Sequence, residues 1–172
     1  RIKAHAKLAF QAGFSPDDTI LVTCGNEPTI RLWDPLTGAS IGTLRHHEDR
    51  EDRVKCLAVS PDGVLAAGSR DHTATLWQLD DRKRVLTDDP VLATGIVGSV
   101  AFGGKGDLLV TGTGRGLLSF IDVDPAPVVR MRQSLQDGIS AVAVSENATS
   151  VLVGDNSGLI QQLSASLHAG SS

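Results

Sequence analysis

The 172-residue chain has no tyrosine, and aromatic residues make up only 3% of it. Its core must therefore be packed from Val, Leu, Ile and Ala rather than from rings. Basic charge is not in excess: 16 Lys and Arg stand against 20 Asp and Glu, a formal net charge of −4. No Lys/Arg cluster is interleaved with aromatics, so direct nucleic-acid binding, which needs a basic footprint, is not expected. No apolar run approaches the ~18 residues of a membrane-spanning helix, so no membrane partner is expected either. No signal peptide is present, although a chain that opens on Arg1 leaves any targeting segment unread. The two cysteines, Cys24 and Cys56, lack metal-ligand spacing and sit in apolar runs. They read as buried free thiols rather than a disulfide, which suits an intracellular, cytoplasmic setting. Asn147-Ala148-Thr149 matches a glycosylation sequon, a tripeptide common by chance.

What the chain does have is a repeat. Ile20–Asp34 (ILVTCGNEPTIRLWD), Val64–Gln78 (VLAAGSRDHTATLWQ), Leu108–Asp122 (LLVTGTGRGLLSFID) and Ser150–Ser164 (SVLVGDNSGLIQQLS) align without gaps at offsets of 44, 44 and 42 residues. Trp33, Trp77, Ile121 and Leu163 then share one position. Each segment reads as two β-rich runs around a Gly/Asn/Asp turn. Upstream of each lies another strand ending in a hairpin: Ser15-Pro16-Asp17, Ser60-Pro61-Asp62-Gly63, and looser turns at Gly103–Asp107 and Ser145–Thr149. Pro and Asp preset the turn dihedrals, and Gly accepts positive φ. Ala9/Ala12, Val54/Leu57, Val97/Val100 and Ile139/Val142 are apolar at matching places, as inward-facing positions between packed sheets would be. Outer strands are expected at Ala39–Leu44, Arg84–Thr87 and Val128–Arg132. No long segment sustains a 3.6-residue apolar period, so the chain reads as all-β.

These units resemble the WD40 family, whose blades run ~40–45 residues and end in Trp-Asp. Ser15-Pro16-Asp17 through Thr29-Ile30-Arg31-Leu32-Trp33-Asp34 carries the likeness, and Ser60-Pro61-Asp62-Gly63 through Asp71-His72-Thr73-Ala74-Thr75-Leu76-Trp77 repeats it. The third and fourth units lack the Trp and follow by register. The resemblance implies a WD40-type β-propeller over residues 1–172, with four blades of four antiparallel strands. The blades fall at about 5–44, 47–87, 93–132 and 135–163, with a tail at 164–172. Because the family usually needs more blades than four, a fragment of a larger ring is expected, with the remaining blades among its partners.

The resemblance also implies a bracing network of His, Ser/Thr, Asp and Trp in each blade. His5, Thr23 and Trp33 match it in blade one, with Glu27 in the Asp place. Blade two has Asp71 and Trp77, but Ala67 replaces the hydroxyl and His47 is displaced. Blade three keeps Thr111, with Arg115 in the Asp place. Blade four, with Val153 and Ser157 there, keeps none.

Catalytic chemistry finds no foothold. His46-His47-Glu48-Asp49 is the densest set of metal-ligand types, but adjacent side chains diverge and the segment reads as a solvated loop. Gly112-Thr113-Gly114-Arg115-Gly116 mimics a phosphate loop without the helix that such a loop needs, so hairpin glycines are the simpler reading. Gly104-Lys105 is likewise a hairpin, no Gly-x-Ser-x-Gly elbow exists, and His72 has no evident nucleophile. No enzyme activity and no cofactor are expected.

The function implied is a scaffold that binds proteins or peptides on one propeller face. Candidate contacts are Asn26, Arg70, Arg115 and Asn156 in the strand-two/three turns, and Glu48, Asp49, Glu51 and Asp52 in the loop entering blade two. Asp88-Asp89 and Gln133–Asp137 enter the next two blades. A regulatory module within a larger kinase or NTPase is the alternative, and an enzyme at the propeller mouth a third reading.

Overall fold

A computed structural model describes residues 1–45, 53–80, 83–85, 91–92, 95–124 and 127–164. Four antiparallel sheets follow one another along the chain. The first holds β1 (Ala9–Phe14), β2 (Leu21–Gly25), β3 (Thr29–Trp33) and β4 (Ser40–Arg45). The second holds β5 (Val54–Val59), β6 (Val64–Ser69), β7 (Thr73–Gln78) and β8 (Lys83–Val85), with the short β9 (Val91–Leu92) also pairing to β7. The third comprises β10 (Val97–Gly103), β11 (Leu108–Thr113), β12 (Leu117–Asp122) and β13 (Val128–Ser134). The fourth comprises β14 (Ile139–Val144), β15 (Ser150–Asp155) and β16 (Ile160–Ser164). Trp33, Trp77, Ile121 and Leu163 fall on the third strand of successive sheets. No helix of the described residues is long and apolar enough to cross a membrane.

Ser-x-Asp and Ser-x-Asn turns explain why the first two strands fold back where they do in the first, second and fourth units. Ser15 donates its hydroxyl to Asp17 (2.6 Å) and accepts the Ile20 N–H (2.9 Å). Ser60 does the same with Asp62 and Val64, and Ser145 with Asn147 and Ser150. One side chain thus satisfies the turn from both sides. Every first strand also carries a bulge at the same place, between residues 9/11, 54/56, 97/99 and 139/141. In the first and third sheets the residue after the bulge reaches the next sheet. Gln11 Oε1 accepts the Leu57 N–H at 3.1 Å, and Ser99 Oγ accepts the Val142 N–H at 2.9 Å.

The sheets stack through their first strands in the order β1, β5, β10, β14, and the core lies between them in three layers. Val22, Cys24, Ile30 and Leu32 meet Val54, Leu57, Leu65 and Trp77. Cys56, Ala66, Ala74 and Leu76 meet Val97, Val100, Leu109 and Ile121. Val110, Leu118 and Phe120 meet Ile139, Val151 and Val153. Each large aliphatic side chain so buried contributes about 1.5–3 kcal/mol.

Two expectations need correction. Ala9 and Ala12 are exposed, whereas Val54/Leu57 and Val97/Val100 are buried. Those positions face the preceding sheet, and no sheet precedes the first among the described residues. The fourth sheet has three strands among the described residues, in keeping with outer-strand signals in the first three units alone. The outer strands are Ser40–Arg45, Lys83–Val85 and Val128–Ser134, and β9 adds a two-residue pairing to β7 opposite Thr73 and Ala74.

Candidate functional site

One end of the sheets is built by the turns between second and third strands together with the segments entering each first strand. The same backbone bond fixes all four. The N–H of Asn26 donates to Leu8 O (2.9 Å), that of Arg70 to Arg53 O (3.1 Å), that of Gly114 to Ile96 O (3.1 Å) and that of Asn156 to Gly138 O (2.9 Å). The Val54 N–H also donates to Glu27 O at 3.2 Å, tying the first unit to the second. These turns are rigid platforms for their side chains.

Beneath the first turn lies a hydrogen-bonded column. The Trp33 indole N–H donates to Thr23 Oγ1 at 3.0 Å, and His5 Nε2 lies 3.0 Å from the same oxygen. Thr23 O–H donating to Nε2 leaves the His5 Nδ1–H for Glu27 Oε2, 3.2 Å away, and satisfies every group. Glu27 also accepts the Ala6 N–H at 3.0 Å and Arg31 Nη2 at 2.7 Å. Glu27 is one methylene longer than the Asp that the resemblance puts there, and with it spans His5, Ala6 and Arg31 together. Burial opposes its charge, but the hydrogen bonds from Ala6, His5 and Arg31 outweigh it and hold the carboxyl below its ordinary value. A depressed carboxylate stabilises the fold above its unfolded-state pKa, and that stability is lost as pH falls through the folded-state value. Glu27→Gln is therefore expected to cost about 1–2 kcal/mol at pH 7. The gap to the parent should close as the pH falls below the ordinary carboxylate range, read by urea midpoints at several pH values. A gap that stays constant into acid would show that the charge contributes nothing.

In the second unit Trp77 is buried, and Asp71 Oδ1 accepts the Thr73 N–H (3.0 Å) and hydroxyl (2.6 Å). His47 lies outside the described residues. In the third, Thr111 is wholly buried, its Oγ1 has no partner, and Ile121 replaces the indole that would have donated to it.

Of the candidate contacts, Arg70, Arg115 and Asn156 are exposed and Asn26 is half-buried. Arg70 and Arg115 lie one sheet apart on this end, and the Arg115 stem lies over Gly95. Glu48, Asp49, Glu51, Asp52 and Asp88-Asp89 fall outside the described residues, as does the His46–Asp49 cluster. Two residues that sequence reasoning passed over belong here. Lys7 and Arg53 line a cleft of about 370 Å³ with Ala6, Asn26, Glu27 and Pro28. Their signal was positional, since both stand just before a first strand and flank the Asn26 turn. Lys7, Arg53, Arg70 and Arg115 form no ion pair among the described residues. No group of three or more His, Cys, Asp or Glu that could hold a metal occurs among them either.

The opposite end carries a larger cleft, about 680 Å³, lined by Pro61, Gly104, Lys105, Ser145, Glu146 and Asn147. Size does not make it the better site. Asn147 is already bonded within its own turn, and the two charged walls, Lys105 and Glu146, are of opposite sign.

Antiparallel sheets of three to five strands, stacked by their first strands, define a β-propeller array. Residues 1–34 and 38–78 match the WD40 family, described as WD domain, G-beta repeat, and the four sheets together have the fold of a WD40-type propeller array. Among curated proteins it is 33% identical over 81 residues to Mitochondrial division protein 1 of Schizosaccharomyces pombe, covering 47% of this chain and 12% of that one. It is 34% identical over 77 residues to Small ribosomal subunit protein RACK1 of Drosophila melanogaster, covering 43% and 23%. The chain thus spans less than a quarter of these relatives. Among solved structures, the WD40 repeats of RRP9 align with a TM-score of 0.82 at 16% identity, over 95% of this chain and 52% of that one. The computationally designed Ika4 protein aligns at 0.78 and 19%, over 95% of both chains.

Proposed function

We propose that this propeller array is a non-catalytic scaffold that binds proteins or peptides on its turn face, with acidic segments favoured. WD40 repeats generally serve protein interaction, and the family is the coarse support for this reading. The observation that carries the finer one is the set Lys7, Arg53, Arg70 and Arg115, four cations unpaired among the described residues and spread over three consecutive blades. Glu27, the carboxylate lining the same cleft, is already occupied by His5, Ala6 and Arg31. A ligand carboxylate entering beside Asn26 would meet free positive charge on a backbone that does not need to move. Such contacts set register and on-rate more than raw affinity and are screened by salt. Cys24 and Cys56, free and buried with thiols pushed up by burial to about 11 and about 12, fit a reducing intracellular compartment.

The test uses fluorescent acidic and basic decapeptides and anisotropy at two salt concentrations. The parent should prefer the acidic series, more weakly at high salt. An Arg53→Glu/Arg70→Glu/Arg115→Glu variant should keep its circular dichroism and bind the acidic series at least about tenfold more weakly. Equal binding by parent and variant would remove this face as the site.

A further inference from the structure

Each turn between second and third strands carries one residue just past its bond to the entry segment, and in three blades that residue is bonded within its own blade. In the first it is Glu27, held by His5, the Ala6 N–H and Arg31. In the second it is Asp71, which accepts the Thr73 N–H and hydroxyl. In the fourth it is Ser157, whose hydroxyl donates to Asp155 at 2.7 Å. The third blade puts Arg115 there. A guanidinium has no acceptor to offer, and the rest of the bracing column is gone as well, with Ile121 in place of the indole and the buried Thr111 hydroxyl left without a partner. Arg115 is exposed and forms no ion pair or side-chain hydrogen bond among the described residues.

Exposure alone would leave a long side chain free to wander, but two features restrict this one. Its turn is bonded from both sides. The Gly114 N–H donates to Ile96 O in the entry of the same blade (3.1 Å), and Gly116 O accepts the Leu135 N–H from the entry of the fourth (2.8 Å). The stem then lies on Gly95. A Cβ at Gly95 would stand 3.2 Å from Arg115 Cγ and 3.3 Å from its Cβ and Cδ, so a side chain there would displace the stem. Gly95 is buried, whereas Lys7 and Asp137, which take its place in the first and fourth blades, are exposed. Beside the arginine, a Cβ at Gly114 would meet nothing within 4 Å, which leaves room for a ligand to come close to the backbone.

We propose that Gly95 is a positioning residue, and that Arg115 seated on it is the fork that reads one Asp or Glu side chain of the acidic segment, which rests on the binding role proposed above. A guanidinium with its stem already ordered loses less freedom on binding. Its two parallel N–H groups match both oxygens of a carboxylate, which the ammonium of a lysine does not. The third blade has exchanged a bracing position for a presenting one.

Anisotropy with acetylated and amidated acidic decapeptides, whose only carboxylates are on side chains, tests this. Arg115→Lys should weaken binding at least about fivefold. That loss should persist at high salt, because the charge is kept and only the fork is removed. Gly95→Ala should give a similar loss, and Gly95→Ala/Arg115→Lys should bind no more weakly than Arg115→Lys alone, as two residues acting through one contact do. Gly95 has φ of +151°, which strains alanine. Should circular dichroism show Gly95→Ala misfolded, nitrogen-15 relaxation of the parent decides, with the Arg115 Nε–H expected to be nearly as ordered as the backbone amides of its turn. Arg115→Lys binding within about twofold of the parent, full additivity of the two substitutions, or a freely mobile Arg115 Nε–H would overturn the seat and leave the acidic preference of the face standing. A parent that binds acidic and basic peptides alike would overturn both readings together.

Discussion

Replacing Trp33 by alanine is expected to destabilise the first blade by about 3–5 kcal/mol, the usual cost of truncating a large buried aromatic. Trp33 is 8% exposed although it points away from the second blade. It is buried by its own sheet, where it pairs with Leu21 and Ser40, and by the segment that carries His5. Two losses therefore add to the cavity. Thr23 loses its donor at 3.0 Å, and the His5 ring loses the oriented hydroxyl that seats it. Trp33→Phe, which keeps much of the bulk and removes only the indole N–H, should fall between parent and alanine variant, at about 1–2 kcal/mol. Urea unfolding followed by circular dichroism gives both values. A loss below about 1 kcal/mol for Trp33→Ala would show that this blade is already loose around its indole.

That column also shows how far the sequence could be read. The fold was legible because the chain repeats: offsets near 44, Ser-Pro-Asp turns and alternating apolar residues each follow from β-sheet geometry. The His5, Thr23 and Trp33 positions could be located by register, but only the coordinates show Glu27 joining His5, Ala6 and Arg31 at once. The exposure of Ala9 and Ala12 was not legible, since apolarity marks a face meant for burial and does not say whether the neighbour is in the chain. The same holds for Leu152 and Ile160. Lys7 and Arg53 escaped notice because each is an ordinary surface cation in isolation. They become a site through backbone bonds between residues far apart in sequence, such as Val54 N–H to Glu27 O. In the third blade the loss of Trp was visible, but not its consequence, a wholly buried Thr111 hydroxyl with no partner.

Gly116→Ala is expected to cost about 3 kcal/mol or more, and two neighbouring glycines separate its causes. Gly116 has φ of +79°, a region that costs a residue with a Cβ about 1–2 kcal/mol. A Cβ there would also stand 2.5 Å from Leu135 O and 2.8 Å from Asp137 O. Both are backbone atoms of the segment entering the fourth blade, held in place by the Leu135 N–H donating to Gly116 O at 2.8 Å. Backbone so tethered cannot swing aside as a side-chain tip would, so the clash moves the whole entry to β14 and strains the junction at Ile139. Gly158 has a similar φ of +88° but nothing within 4 Å of its would-be Cβ. Gly158→Ala should therefore cost only the backbone part, about 1 kcal/mol. Gly114 sits in the same turn as Gly116, has open space and no positive φ, and Gly114→Ala should be nearly neutral. Urea midpoints for the three variants should rank 114 above 158 above 116. Were Gly116→Ala no worse than Gly158→Ala, the close approach of the third blade's turn to the fourth blade's entry would carry no energy, and the two blades would be held together by their side-chain layer alone.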